Sequence, residues 1–262
     1  MTTSHDIALA NRLADAAGAA IRPLFRGASW QAEQKEDHSA VTIADRAAEE
    51  AMRKILDSER AADGIIGEEY GSVRESAARQ WVLDPIDGTQ SFVAGRPIFG
   101  TLIALLQDGW PVLGVIDQPI LGERWVGAIG ESTTFNGKPV RTRACGALEG
   151  ASVATTSPHC FAEAEVDAYL RVVAKAYPRR PFPVYGGDCY NYALLASGHL
   201  DLVIESGLKL HDYAALVPVV EGAGGMMSDW QGHPLDAGSD GSVLALGDPA
   251  RLEDVLEAMA GA

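Results

Sequence analysis

A short apolar run, Trp81-Val82-Leu83, leads directly into two carboxylates three residues apart, Asp84-Pro85-Ile86-Asp87-Gly88-Thr89. The run reads as a buried strand. Pro85 removes a backbone donor and biases Asp84 toward an extended conformation, so the strand is expected to stop there. Gly88 permits a close backbone turn, and Thr89 presents both an amide and a hydroxyl. Two carboxylates on one turn repel each other unless a cation lies between them. Their hard oxygens suit Mg²⁺, which keeps several waters and often bridges carboxylates to a substrate phosphate. A helix starting after Gly88 would turn its first N–H groups toward that phosphate. The plainer reading is an Asp-Pro turn followed by an Asp-Gly turn, both ordinary loop chemistry.

Length and charge narrow the classes. A chain of 262 residues, 47% of them hydrophobic, buries a substantial core as one large domain or two intimate halves. Its 21 basic and 36 acidic residues give a net charge of −15, which argues against nucleic acid or an anionic membrane as the main partner. An acidic chain also repels a phosphorylated substrate, and bound divalent cations are the simplest remedy. Cys145, Cys160 and Cys189 are odd in number and widely spaced, with neither a disulfide pattern nor zinc spacing, so buried reduced thiols are expected. The N-terminus does not read as a signal peptide, and no apolar run is long enough to span a bilayer. A soluble cytoplasmic protein is the expectation.

Apolar residues from Ile7 to Leu24 fall at helical spacing and predict a helix over 6–25. The stretch 27–39 is polar and without period, a loop or a mobile flap. A second helix is predicted over 41–59, and Thr42-x-x-Asp45 at its start is close to a capping box. Residues 64–69 read as a short strand ending in Glu68 and Glu69, a pair whose ordinary reading is a solvated acidic loop. Strands follow at 99–106, 112–116 and 124–128, with hairpin turns at Asp108-Gly109 and Asn136-Gly137. From 145–150 onward strand and helix alternate, with helices at 162–176, 189–196, 213–222 and 249–259. Residues 1–146 thus read as helices on an antiparallel sheet, and 147–262 as alternating α/β. No linker separates the two, so 1–262 is read as a single domain. Residues 130–138 lack P-loop spacing, and the glycines of 222–225 precede a strand instead of following one, so neither is a nucleotide loop. Ser157, Ser197 and Ser206 lack the Gly-x-Ser-x-Gly spacing of a serine hydrolase.

The string from Asp84 to Thr89 resembles the metal-binding signature of the inositol monophosphatase family, lithium-sensitive Mg²⁺-dependent phosphomonoesterases. Further motifs of that family stand in order: Val41-Thr42-Ile43-Ala44-Asp45, Gly67-Glu68-Glu69 and His211-Asp212-Tyr213-Ala214-Ala215-Leu216. The family usually has Trp-Asp-x-Ala-Ala-Gly at the last of these, so Trp has become His and Gly has become Leu. The resemblance implies a layered α/β sandwich (αβαβα), with an antiparallel-sheet first half and an alternating α/β second half. It implies that Glu68, Asp84, Asp87, Asp212 and the Ile86 carbonyl hold roughly two or three Mg²⁺ ions. Asp45 and Thr89 then orient and deprotonate the attacking water, with Glu68 also counted in the catalytic set, while the Gly88 and Thr89 amides hold phosphate oxygens. From position alone Asp212 is as readily a helix N-cap, and His211 positions its neighbour, touches substrate or fills the space of the Trp. Lithium inhibition and a homodimer are further implications.

The substrate reading rests on the segment Tyr185-Gly186-Gly187-Asp188-Cys189-Tyr190-Asn191, which looks like the histidinol-phosphate phosphatase branch of the family. In that register Asp188 replaces a small residue that would contact an inositol ring. Asp188 and Glu205 suit the ammonium and imidazole of histidinol phosphate, with Asp212 as a further substrate contact; the alternative is that Asp188 caps the following helix. The expected activity is Mg²⁺-dependent hydrolysis of L-histidinol phosphate to L-histidinol and phosphate, a step of histidine biosynthesis. Inositol 1-phosphate, or another small alcohol or nucleotide phosphate, is the second reading. A regulatory protein-binding module on the same fold is a third, against which the full set of acidic positions and the Thr89–Asp45 pair speak.

Overall fold

The computed structural model describes residues 2–27, 32–34, 40–176 and 182–261, with side chains described throughout except at 32–34 and 40–42. Helix α1 (Ser4–Ile21) starts on a reciprocal cap: Thr3 Oγ1 accepts from the Asp6 amide at 3.2 Å and the Thr3 amide donates to the Asp6 carboxylate at 2.9 Å. It ends short of the predicted position 25, because Pro23 has no N–H to continue the ladder. The stretch expected to be loop contains strand β1 (Ala32–Gln34), and β2 (Ala40–Thr42), which takes the first two residues of the predicted second helix, pairs with it antiparallel, Ala32 opposite Thr42. The rest of that expectation, at 28–31 and 35–39, lies outside the described residues. Helix α2 (Ile43–Glu59) begins where the Thr42 motif places it, with Asp45 in its first turn.

Eight strands form the larger sheet: β3 (Gly64–Gly67), β4 (Gly71–Val73), β5 (Arg79–Asp87), β6 (Gly100–Gln107), β7 (Trp110–Gln118), β8 (Glu123–Ala128), β9 (Thr134–Phe135) and β10 (Lys138–Pro139). Their order is β10-β9-β8-β7-β6-β5-β3-β4, antiparallel except that β3 runs parallel to β5. A short helix α3 (Thr89–Val93) follows β5. The second sheet orders β12 (Val184–Tyr185), β11 (Val153–Thr155), β13 (Leu202–Glu205), β15 (Val243–Leu246) and β14 (Met226–Ser228), with β11 parallel to both its neighbours. Helices α4 (Glu163–Ala176), α5 (Cys189–Ala196), α6 (Leu210–Tyr213), α7 (Leu216–Gly222) and α8 (Leu252–Ala260) complete the chain. The helix predicted over 213–222 is therefore two helices with an earlier start. Pro218 cannot donate to the carbonyl of Ala214, which is where the break falls.

Three apolar cores separate the layers. Leu9, Leu13, Met52 and Leu56 of α1 and α2 pack with Trp81, Leu83 and Ile103 on one face of the larger sheet. Val82, Leu102 and Ile116 on its other face meet Tyr192, Leu195, Leu216 and Val220 of α5 and α7. Tyr169, Val172, Val255 and Met259 of α4 and α8 cover the outer face of the smaller sheet. The order is helix, sheet, helix, sheet, helix, the layered α/β sandwich expected from the sequence. Where α6 passes into α7 the backbone lies directly on β7: a β-carbon on Gly114 would strike the Ala215 carbonyl oxygen. That close approach sets Asp212 of α6 against the end of β5.

Candidate active site

Alternation along β5 sends Trp81 and Leu83 into the core beneath α1 and α2, and Val82 into the core beneath α5 and α7. Asp84 follows Val82 on the second face, and only 2% of it is exposed. The strand does not stop at Pro85. It continues to Asp87 through a bulge, since Asp84 pairs with Leu102 and Asp87 with Gly100. The missing N–H of Pro85 falls inside this bulge and past the last pair that β5 makes with β3, Gly67 with Leu83, so no ladder bond is lost. The Thr101 hydroxyl fixes the bulge by donating to the Pro85 carbonyl at 2.7 Å. Gly88 then turns with φ +88°, and α3 begins at Thr89 as the sequence suggests. A β-carbon at Gly88 would lie 2.7 Å from Oδ2 of Asp188, so this turn needs glycine on both counts.

Carboxylates from four elements converge on Asp84. Ligating atoms of Asp84, Asp87 and Asp212 lie within 4.8 Å of one another, as do those of Glu68, Asp84 and His211. Glu68 is brought there by Glu49, a fully buried residue of α2 whose carboxylate accepts the amides of Glu69 at 2.7 Å and Tyr70 at 3.2 Å. Arg53, one turn along, donates to the same carboxylate at 2.7 Å. Asp212 is not an N-cap: it sits in the first turn of α6, and its Oδ2 accepts the Lys209 amide at 2.6 Å. His211 Nε2 lies 3.6 Å from the other Asp212 oxygen. Asp45 is buried in the first turn of α2 and adds its charge to the field at Asp84. The Thr89 hydroxyl donates to the Ile86 carbonyl at 3.1 Å.

The electrostatics of this cluster ask for a cation. Burial, then the charges of Glu68, Asp87, Asp212 and Asp45, push the Asp84 carboxyl well above the usual range. Burial also raises Asp87 strongly, helped by Asp188 and Asp212 and opposed by its hydrogen bonds from Cys189. Asp212 is raised by burial against the opposing pull of His211 and Lys209. Among the described residues Asp84 Oδ1 is a buried oxygen with no hydrogen-bond partner. A buried orphan acceptor among repelling hard oxygens fits a divalent cation of the Mg²⁺ kind.

Beside the cluster, Asp87, Asp188, Tyr192, Glu205, Leu208 and Asp212 line a cavity of about 30 Å³. Asp188 stands at the N-cap position of α5 but makes no side-chain cap bond, so the capping alternative fails. Its backbone is left-handed, φ +43°. Burial raises its carboxyl, while Thr156, Ser91 and the charge of Arg96 hold it back. Glu205, at the end of β13, accepts the Thr156 amide at 2.6 Å and the Thr155 hydroxyl at 3.4 Å. Burial pushes its carboxyl up to about 7, with Thr156 opposing and Asp188 adding to the rise. The Cys189 amide donates to Asp87 at 2.6 Å, tying the start of α5 to the end of β5. Cys145 and Cys189 are buried thiols as expected, but Cys160 is exposed, on a 3₁₀ turn outside the cores. A wider cleft of about 520 Å³, lined by Asn11, Asp117 and Arg124 among others, contains none of the candidate residues.

Two residues here escaped the sequence reading. Glu49 could have been found from its spacing, since Asp45, Glu49 and Arg53 form one stripe of α2 at i, i+4 intervals. Tyr192 left a fainter signal, a single hydroxyl inside the otherwise apolar Tyr192-Ala193-Leu194-Leu195-Ala196 of α5.

Comparison with known proteins agrees with the arrangement. The chain belongs to the inositol monophosphatase family, whose profile matches residues 3–260. It is a phosphoric monoester hydrolase of that family, whose members normally use Mg²⁺. It superposes on an inositol monophosphatase from Zymomonas mobilis with a TM-score of 0.90 at 53% identity, covering 99% of this chain and 100% of that one. It is 51% identical over 261 residues to the chloroplastic bifunctional phosphatase IMPL2 of Arabidopsis thaliana, covering 96% of this chain and 74% of the relative. With a histidinol-phosphatase of Chlorobaculum parvum it shares 35% identity, covering 92% of each. No helix among the described residues is long and apolar enough to cross a membrane.

Proposed function

We propose that this chain is a Mg²⁺-dependent phosphatase whose substrate is L-histidinol phosphate. The observation that carries the reading is the pair of carboxyl groups, Asp188 and Glu205, set in one cavity beside the cation cluster. A polyol ester has no charge for them to meet. The alcohol of histidinol phosphate brings an ammonium and an imidazole, and a charge-assisted bond between such groups is stronger than a neutral one. The likeness to the histidinol-phosphatase of Chlorobaculum parvum supports the same choice.

In this reading Glu68, Asp84, Asp87, Asp212 and the Ile86 carbonyl hold the cations. When bound, these supply charge neutralisation at the phosphate and a lowered pKa for coordinated water. Asp45 takes the proton of the attacking water, and the Thr89 hydroxyl orients that water. The amides of Gly88 and Thr89 donate to phosphate oxygens. The Thr156 amide and, at longer range, the Thr155 hydroxyl fix Glu205, leaving its remaining lone pairs to the substrate.

Inositol 1-phosphate is the second reading, favoured by the likeness to the Zymomonas mobilis inositol monophosphatase at 53% identity. Phosphate release from histidinol phosphate, inositol 1-phosphate, a nucleoside monophosphate and a sugar bisphosphate decides between them. Histidinol phosphate should lead in kcat/KM by roughly tenfold or more, with all activity lost on chelation and restored by Mg²⁺. A lead for inositol 1-phosphate overturns the substrate, and full activity after exhaustive chelation overturns the metal dependence.

A further inference from the structure

We propose that Tyr192 is a specificity-determining residue, its hydroxyl accepting a hydrogen bond from the ammonium of an amino-alcohol phosphate. It would complete, with Asp188 and Glu205, a receptor of three acceptors. The proposal rests on the phosphatase reading above and narrows the class of alcohol released.

Tyr192 lies on the first turns of α5 with 1% of its surface exposed. Buried tyrosine hydroxyls ordinarily find a partner. Among the described residues this one has none, although it shares a cavity with Asp188 and Glu205. The cavity it lines with Asp87, Asp188, Glu205 and Asp212 is acidic, and the charges of Glu205, Asp87 and Asp212 act on its phenol. Burial and those charges keep the phenol protonated, so it offers an acceptor lone pair and a donor at any working pH.

An ammonium carries three donors and no acceptor, so a closed site must offer three acceptors. Glu205 Oε1 already receives the Thr156 amide, and the Asp188 carboxylate is partly used by Thr156 and Ser91. Two part-occupied carboxylates and one unused hydroxyl are what the cavity presents. With no partner holding it among the described residues, the hydroxyl can turn its proton aside and leave a lone pair for the ligand. The competing account is one buried water, for which about 30 Å³ gives room. A water of that kind would matter equally to every substrate.

Tyr192→Phe keeps the ring in the core and removes the hydroxyl alone. It should lower kcat/KM for histidinol phosphate by about tenfold or more, mostly through KM. The value for inositol 1-phosphate should stay within about twofold, and Mg²⁺ activation should be unchanged. Equal loss on both substrates, or no loss on either, overturns the proposal in favour of packing or water. A second measurement covers a variant that fails to fold: inhibition of the wild-type protein by L-histidinol and by the same alcohol lacking its amine. The amine should tighten inhibition by about tenfold or more, and no difference overturns the proposal. If the wild-type protein prefers an uncharged ester, the histidinol assignment fails on its own. The Tyr192 assignment then survives only if Tyr192→Phe weakens phosphoethanolamine turnover more than inositol 1-phosphate turnover.

Discussion

Glu205 is nine-tenths buried, and its charged form costs free energy that the Thr156 hydrogen bonds do not fully return. Its carboxyl titrates near 7 in the fold against 4.5 in the unfolded chain, so between those values the folded state holds a proton that the unfolded state has released. The stability it contributes is complete below about 4.5 and is lost as pH rises through about 7, a swing of roughly 3 kcal/mol. Glu205→Gln is neutral throughout. In urea denaturation of the chelated protein, its stability relative to wild type should improve by up to about 3 kcal/mol between pH 5 and pH 8. An unchanging difference would mean that Glu205 is already ionised in the fold. Asp188 shows a different kind of cost: a left-handed backbone at a non-glycine residue, without the cap bond that would excuse it. Such strain persists where the surroundings over-determine it, and here the Gly88 turn, Thr156 and Ser91 hold the side chain in place.

Helices α6 and α7 reach the end of β5 because β7 offers them a bare backbone at Gly114. Gly114→Ala forces the Ala215 carbonyl outward, an overpacking cost of about 1–3 kcal/mol, or a fall in Tm of roughly 2–10 °C for a chain of this length. Turnover should fall further than stability alone explains, because Asp212 rides on α6. A variant with wild-type Tm and turnover would show that the contact relaxes freely. The elements that sequence periodicity found are those whose side chains carry the pattern: α5 was legible end to end, and the Asp108-Gly109 and Asn136-Gly137 turns were fixed by residues that tolerate positive φ. Strands β1 and β2 left no such trace, since three residues apiece are too few to show an alternation. The continuation of β5 past Pro85 was hidden because the bulge absorbs what a regular ladder would forbid. In the site, the carboxylates of Glu68, Asp84, Asp87 and Asp212 could be placed from their motifs. Glu49 and Tyr192 could not, because their meaning depends on which loop and which cavity the fold sets against them.

Across the molecule, the net charge of −15 is concentrated to an unfavourable extent where Glu68, Asp84, Asp87 and Asp212 meet. Anything that binds this cluster only in the fold stabilises the whole chain, by about 2.7 kcal/mol at a hundredfold excess over Kd. Scanning calorimetry should therefore find Tm raised by Mg²⁺ in the wild-type protein. Asp84→Asn, which removes one repelling charge, should melt at or above the wild type in chelator and respond much less to Mg²⁺. A wild-type Tm indifferent to Mg²⁺ would count against the metal reading without reference to catalysis. The hydrogen bond from the Cys189 amide to Asp87 joins two bodies of structure to which the proposed function gives different duties. Asp45, Glu68, Asp84 and Asp87 come from α2 and the larger sheet, whereas Asp188, Tyr192 and Glu205 come from α5, its approach and β13. Divergence can therefore rewrite the pocket for the alcohol through a handful of codons on one side of that bond. Apart from Asp212, which rides on α6, the carboxylates of the cation cluster lie on the other side of that bond, so a change of alcohol need not disturb them.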